Sequence, residues 1–290
     1  MDNAKKIAIV TGGAGFVGSH LCERLVALGY RVISLDNYFA GSEANHVAGV
    51  EYRRGHTKDI AAHISETPDI IYHLGEYSRV AASLEEPEVV FDLNMEGTFG
   101  VLEFWREKKC KLVYAGSSTK GVGARADGVV GRDLAPYTWM KAANTELVSN
   151  YARWYELPYA IVYFYNVYGP RERTAEEYGT VIETWRRRAL EGKPLQVREP
   201  GTQVRAFTHV DDTVDGLILV GEKGEGDDFG IGTDETFTLL EVAKMFGGEI
   251  EMLPATKTTR AAAEVHSEKT RALGWVPKRH LPDYIKEKRG

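Results

Sequence analysis

An α/β fold, with a doubly wound parallel sheet and a smaller C-terminal α/β lobe, is the class this sequence predicts. Three observations carry the expectation. Short apolar, β-branched runs alternate with longer amphipathic stretches from Lys6 to Tyr165. A glycine-rich turn separates the first run from the first amphipathic stretch. After Gly169-Pro170 the alternation loosens, and glycine and charge become more frequent.

The elements follow in order. Lys6–Thr11 reads as a buried strand and Phe16–Leu28 as a helix, with apolar residues at helical spacing. Arg31–Asp36, Val50–Arg54 and Asp69–Leu74 are further strands. One long helix is expected over Pro87–Lys108 and another over Tyr137–Tyr155, with strands at Lys111–Ala115 and Tyr159–Tyr165. Strands alternating with helices at this spacing imply βαβ crossovers and a parallel sheet covered on both faces. Beyond residue 170 the pattern predicts helices near Thr180–Glu191, Asp212–Gly221, Leu239–Phe246 and Leu281–Lys286. Strands are expected at Pro194–Val197 and Asp228–Ile231. The reading divides the chain into units 1–169 and 170–290.

Composition excludes several classes. No apolar run reaches the roughly 18–20 residues of a membrane helix, and the polar start, Met1–Lys6, is unlike a secretory signal. Only Cys22 and Cys110 occur, which fits reduced thiols and a cytoplasmic location. The net charge of −6 argues against a nucleic-acid surface. The basic triplet Arg186-Arg187-Arg188 reads as the solvated face of a helix. No metal-binding cluster is expected.

Gly12, Gly15 and Gly18 stand between the first strand and the first helix with GxxGxxG spacing. Gly12 permits a tight turn, Gly15 a close backbone approach to a pyrophosphate, and Gly18 close packing of helix on sheet. The helix N-terminus, beginning with Phe16 and Val17, offers free N–H groups to phosphates. Asp36, followed by Asn37, closes the second strand, where a carboxylate hydrogen-bonds the adenosine ribose 2′-OH and repels a 2′-phosphate. Together these predict a Rossmann-type unit that binds NAD rather than NADP.

Tyr137 and Lys141 form a Tyr-x-x-x-Lys pair at the start of a predicted helix, which places both on one face. An ammonium beside a phenol favours the phenolate, and such a base can take the proton of a sugar hydroxyl while hydride leaves the same carbon. Ser117 and Ser118 fall at the end of the fifth strand, the edge where ligands sit in open α/β sheets. A Ser hydroxyl there can bridge the substrate oxygen and the tyrosine.

The segments TGGAGFVGSH, Asp36-Asn37, VYAGSS, YTWMK and FYNVYGPRE occur in one order along the chain. Together they resemble the extended short-chain dehydrogenase/reductases, and more narrowly the nucleotide-sugar epimerases and dehydratases, with UDP-glucose 4-epimerase as the best-known member. The resemblance implies Ser117, Tyr137 and Lys141 as a catalytic triad. Cofactor contacts are expected at Gly12, Gly15, Phe16, Val17, Gly18, Asp36, Asn37, Leu74, Lys141 and Phe164. Substrate contacts are expected at Ser118, Asn166, Arg205 and Ala262, with Asn166 and Arg205 on the diphosphate. It also implies a homodimer, pairing the helices near Pro87–Lys108 and Tyr137–Tyr155. Trp139, Ala143 and Leu147 form a usable apolar stripe on the second.

The chain departs from the family pattern at definite places. His56-Thr57 stands where Asp-Ile usually follows the third strand, and Ala206 stands within what is often Arg-Asp-Phe. Ser118-Thr119 replaces the Asp-Glu pair of the sugar dehydratases, which argues against 4,6-dehydration. Glu76 occupies a position usually held by a small residue; a solvated loop acid is expected, the alternative being an extra polar group near the substrate. Ala262 stands where a bulky aromatic in 4-epimerases would exclude a 2-acetamido group. The expected activity is NAD-dependent epimerisation of a nucleotide-linked sugar at C4 through a 4-keto intermediate. Two alternatives stay open: a 4-dehydrogenase that releases the keto sugar, and a non-catalytic NAD-sensing protein.

Overall fold

The computed structural model describes residues 5–118, 131–173, 179–256 and 264–289. Strand β1 (Ile7–Thr11) leads through the glycine turn into α1 (Phe16–Ala27), β2 (Arg31–Asp36) and β3 (Val50–Arg54). A short α2 (Ile60–His63) precedes β4 (Ile70–His73). The expected long helix is one helical run in three parts: α3 (Pro87–Val90), a π-helical stretch Phe91–Glu96, and α4 (Gly97–Lys108). Then come β5 (Lys111–Ser117), α5 (Pro136–Tyr155) and β6 (Tyr159–Phe164).

The second part contains β7 (Val167–Tyr168), α6 (Val181–Leu190), β8 (Leu195–Arg198), β9 (Val204–Ala206), β10 (Thr208–His209) and α7 (Val210–Lys223). It continues with β11 (Gly226–Ile231), β12 (Thr236–Thr238), α8 (Leu239–Phe246), β13 (Ile250–Leu253), α9 (Glu268–Ala272) and α10 (Leu281–Lys288).

Seven strands form one parallel sheet in the order β11-β6-β5-β4-β1-β2-β3. Alternation along each strand supplies two apolar faces. Ile9, Ile33, Ile71, Leu112 and Ile161 pack with Val101, Leu102 and Trp105 of α4 and Val148 of α5. On the other face Val10, Val32, Val113 and Val162 pack with Leu21 and Leu25 of α1 and Val214 and Leu217 of α7. The doubly wound parallel sheet predicted from sequence is what the chain forms.

Residues on both sides of the line expected near residue 170 build this sheet. β11 pairs with β6, and α7 shares a core with α1. His20 of α1 reaches the Pro170 carbonyl at 3.0 Å and Asp211 of α7 at 3.5 Å, so the chain is tied where it crosses. The remaining segments gather around Trp185, Leu195, Val197, Phe207, Val242, Phe246 and Leu281. Within the basic triplet, Arg186 pairs with Glu183 at 2.6 Å, Arg187 with Glu191 at 3.6 Å, and Arg188 donates to the Pro194 carbonyl. Among the described residues no helix is long and apolar enough to cross a membrane.

Candidate functional site

β1 and β4 are neighbours whose connections leave toward opposite edges of the sheet, so a crevice opens beyond their carboxyl ends. A cavity of about 900 Å³ lies there. Gly12 turns the chain at φ 74°, and a side chain on it would press the Gly75 backbone. A Cβ at Gly18 would collide with the Gly12 carbonyl, which is how the turn draws α1 against the strand ends. Gly15 is the N-cap of α1 and provides no side-chain cap, so N–H groups of the first turn stay available. Gly12, Gly15, Phe16, Val17 and Gly18 all line the cavity. An uncapped helix N-terminus behind a turn that admits no Cβ fits a dinucleotide pyrophosphate.

Asp36 sits at the end of β2, only 6% exposed. Its carboxylate accepts the Ala14 N–H at 2.9 Å and the Tyr38 N–H at 2.8 Å. Burial raises its titration above the usual carboxylate range, and those two N–H donors oppose the shift. Asp36 and Asn37 line the same cavity. Gly55 and Thr57 line it after β3, whereas His56 turns to Asp92 at 3.1 Å. Among the described residues after β3, no carboxylate replaces the missing Asp at this wall.

Leu74 and Phe164, at the ends of β4 and β6, reach the cavity. Pro136 opens α5, and the Thr138 hydroxyl bonds back to both the N–H and the carbonyl of Ala135. That fixes the first turn of α5, so Tyr137 and, one turn on, Lys141 both face the cavity. Ser117 ends β5 opposite Phe164, and Ser118 follows it. Neither is among the residues that line the cavity, although Ala115 and Gly116 are.

Glu76 is not the solvated loop acid expected from sequence. Its side chain is 3% exposed and forms an ion pair with the 5% exposed side chain of Lys141. The other carboxylate oxygen accepts from Thr98 Oγ1 at 3.0 Å, Tyr114 OH at 3.1 Å and Asn144 Nδ2 at 3.1 Å. Lys141 also donates to the Ala115 carbonyl and lies 4.5 Å from the Tyr114 ring centre. The physical reason for the departure is tertiary. A buried ammonium 65 residues away compensates the acid, and four donors converge on it.

The network continues inward. His73 Nδ1 meets Thr11 Oγ1 at 2.7 Å, and His73 Nε2 meets Thr98 Oγ1 at 3.0 Å. Thr11 Oγ1 already accepts the N–H groups of Leu74 and Gly75. Its proton therefore goes to His73 Nδ1, which assigns the Nε2–H tautomer and lets Thr98 pass its own proton to Glu76. Burial lowers the His73 imidazole to about 4, so it is neutral near pH 7.

The opposite wall carries Asn166, Arg171, Glu172, Arg173 and Thr180, with Arg79 facing them. Asn166, at φ 39°, donates to the Ala206 carbonyl at 2.8 Å. Burial pushes Glu172 up to about 7, although it accepts from Thr180 and from the Gly169 N–H. Arg205 lies on β9, donates to the Val204 carbonyl at 2.7 Å, and is outside the cavity lining. Ala262 lies outside the described residues. Sequence reasoning missed Arg79, Arg173 and Glu172 because no local motif marks them. The only signal was the FYNVYGPRE segment, read for Asn166 rather than for its charged end.

This fold and site define a dinucleotide-binding α/β enzyme with a Tyr-x-x-x-Lys helix at the mouth of the cofactor crevice. Residues 8–232 match the NAD dependent epimerase/dehydratase family, and the chain belongs to it. It is an NAD-dependent enzyme of the extended short-chain dehydrogenase/reductase group, which sets aside the NAD-sensing alternative. It is 32% identical over 259 residues to a UDP-N-acetyl-alpha-D-glucosaminuronate decarboxylase of Bacillus cytotoxicus, covering 83% of this chain and 79% of the relative. It is 30% identical over 292 residues to a putative UDP-glucose 4-epimerase of Methanocaldococcus jannaschii, covering 96% and 95%. The UDP-glucose 4-epimerase of Thermus thermophilus, solved with NAD, superposes with a TM-score of 0.89 at 29% identity, covering 98% of this chain and 97% of that one.

Proposed function

We propose that this enzyme epimerises a nucleotide-linked sugar, most directly at C4 through a transient 4-keto sugar, in carbohydrate biosynthesis. The observation that carries the reading is that Tyr137 and Lys141 share one cavity with the glycine turn and Asp36. Gly12, Gly15, Phe16, Val17 and Gly18 would hold the pyrophosphate of NAD, Asp36 and Asn37 its adenosine ribose, and Leu74, Phe164 and Lys141 its nicotinamide end. NAD supplies, when bound, uptake and return of hydride at the sugar carbon. Tyr137 removes the proton of the C4 hydroxyl and later returns it. Ser117, at the end of β5 next to the cavity-lining Gly116, would orient that oxygen, with Ser118 beside it. Asn166, which lines the cavity, would hold the diphosphate, and Arg205, outside the lining, would join it by turning from the Val204 carbonyl; a guanidinium suits phosphate oxygens. In this reading residues 1–169 serve the cofactor and 170–290 the nucleotide sugar.

The same reading makes the protein a homodimer through the helices of the α3–α4 run and α5. Phe91, Phe99, Trp139 and Trp154 are 49%, 53%, 46% and 56% exposed on these helices, an unusual concentration of large apolar side chains. Phe91, Phe99 and Leu147 border one surface depression. Cys22 and Cys110 are both free and buried, which fits a reducing, cytoplasmic compartment. Incubation with UDP- and GDP-sugars, followed by product analysis, tests the activity: a C4 epimer is expected, and no conversion of any sugar would contradict it.

A further inference from the structure

We propose that Glu76 is a positioning residue for the base: it pins the Lys141 ammonium, one helical turn from Tyr137 in the same cavity, and as its counter-charge governs how far that ammonium favours the Tyr137 phenolate. The inference rests on Tyr137 being the base of the proposed reaction.

The geometry has three parts. The first is the ion pair itself, with both side chains almost wholly removed from solvent. Within such a site charges act on one another far more strongly than they do in water. An ammonium alone would stabilise a nearby phenolate; an ammonium paired with a carboxylate does so less. The second is the fixed orientation of the acid. Thr98, Tyr114 and Asn144 all donate to one oxygen, which leaves the other for Lys141. Burial drives the Tyr114 phenol well up, so it stays protonated and keeps donating. The third is the relay of Thr11, His73 and Thr98, which ties this acid to the end of β1 where the glycine turn begins.

Other groups face the pair and the base. Tyr114 and His73 approach from β5 and β4, and Arg79 acts on Tyr137 from the opposite wall, with Glu172 and Arg173 beside it. All of these remain in place when Glu76 alone is changed.

Near-UV tyrosinate absorbance measured across pH, as the difference from Tyr137→Phe, reads the Tyr137 ionisation without any substrate. Holoprotein with NAD bound is used throughout. Glu76→Gln keeps the shape and removes the charge; Glu76→Ala removes both the charge and the hydrogen-bonding side chain. Both are expected to move the Tyr137 ionisation step to lower pH by roughly one unit. The rising limb of the pH–rate profile, measured with whichever UDP-sugar is converted, should move with it. Thr98→Val removes a donor and no charge; it should lower the melting temperature and leave the step where it is. An unmoved step in folded Glu76→Gln and Glu76→Ala overturns the proposal. So does a Thr98→Val shift as large as theirs, or failure of both Glu76 variants to fold, since the acid is then structural. Full activity in Tyr137→Phe would instead refute the base assignment.

Discussion

The Asp36 carboxylate accepts the backbone N–H of Ala14 at 2.9 Å, joining the end of the second strand to the glycine turn. One acid thus serves the turn that faces the pyrophosphate and the wall that faces the ribose. Removing it should disturb both.

Asp36→Ser is expected to weaken NAD binding roughly tenfold or more, the usual scale for losing a charged acceptor. The gap between NAD and NADP should narrow, because the repulsion of a 2′-phosphate goes with the carboxylate. Titration of protein fluorescence with each dinucleotide measures both effects. A wild-type preference for NADP would refute this role of Asp36.

Tyr137→Phe should lower turnover by about 10²–10⁴-fold while NAD affinity stays near wild type, since the ring stays and only the proton acceptor leaves. Rate and NAD dissociation constant, measured on the same preparation, separate the two. Retention of more than about a tenth of the rate would show that another group is the base.

Glu172 gives the free protein a pH-dependent liability. Its folded-state value is raised by burial to about 7 from an ordinary 4.5. Such a group stabilises the fold below the ordinary value and loses that contribution as pH rises through 7. Glu172→Gln should therefore gain stability over wild type between pH 5 and pH 8, by at most about 3 kcal/mol. Urea unfolding at both pH values checks the sign. A larger advantage for the variant at pH 5 than at pH 8 would contradict the burial argument.

Phe99→Glu should convert a homodimer into a monomer, because it sets a charge where Phe99 and Phe91 border one depression. Sedimentation of wild type and variant at micromolar concentration decides it. A monomeric wild type would remove the dimer from the account.

The strands of the sheet and the main helices were readable because their boundaries coincide with changes of hydrophobic period. Every expected end lies within two residues of the observed one. The glycine turn and Asp36 were readable because their chemistry is local: a strand, a turn, a helix and an acid in sequence. Glu76 was not, because nothing near residue 76 announces that Lys141 will lie against it; the pairing exists only once β4 and α5 meet. The π-helical turn at Phe91–Glu96 was equally hidden, since the pattern across Pro87–Lys108 reads as one helix. It presents Asn94 to the backbone of Tyr77, an interaction made across 17 residues. Nor did composition after Gly169-Pro170 show that β11 would return to the first sheet; β-strand pairing across more than 60 residues leaves no local mark.

The central claim is that one sugar carbon gives up and regains hydride while Tyr137 takes and returns the hydroxyl proton. The direct measurement follows sugars deuterated at C4 through turnover, with the products resolved by mass and NMR. The account predicts a C4 epimer that keeps its deuterium, formed by wild type and suppressed at least roughly a hundredfold in Tyr137→Phe. A product unchanged in configuration at C4, or an epimer formed equally well by Tyr137→Phe, would contradict it.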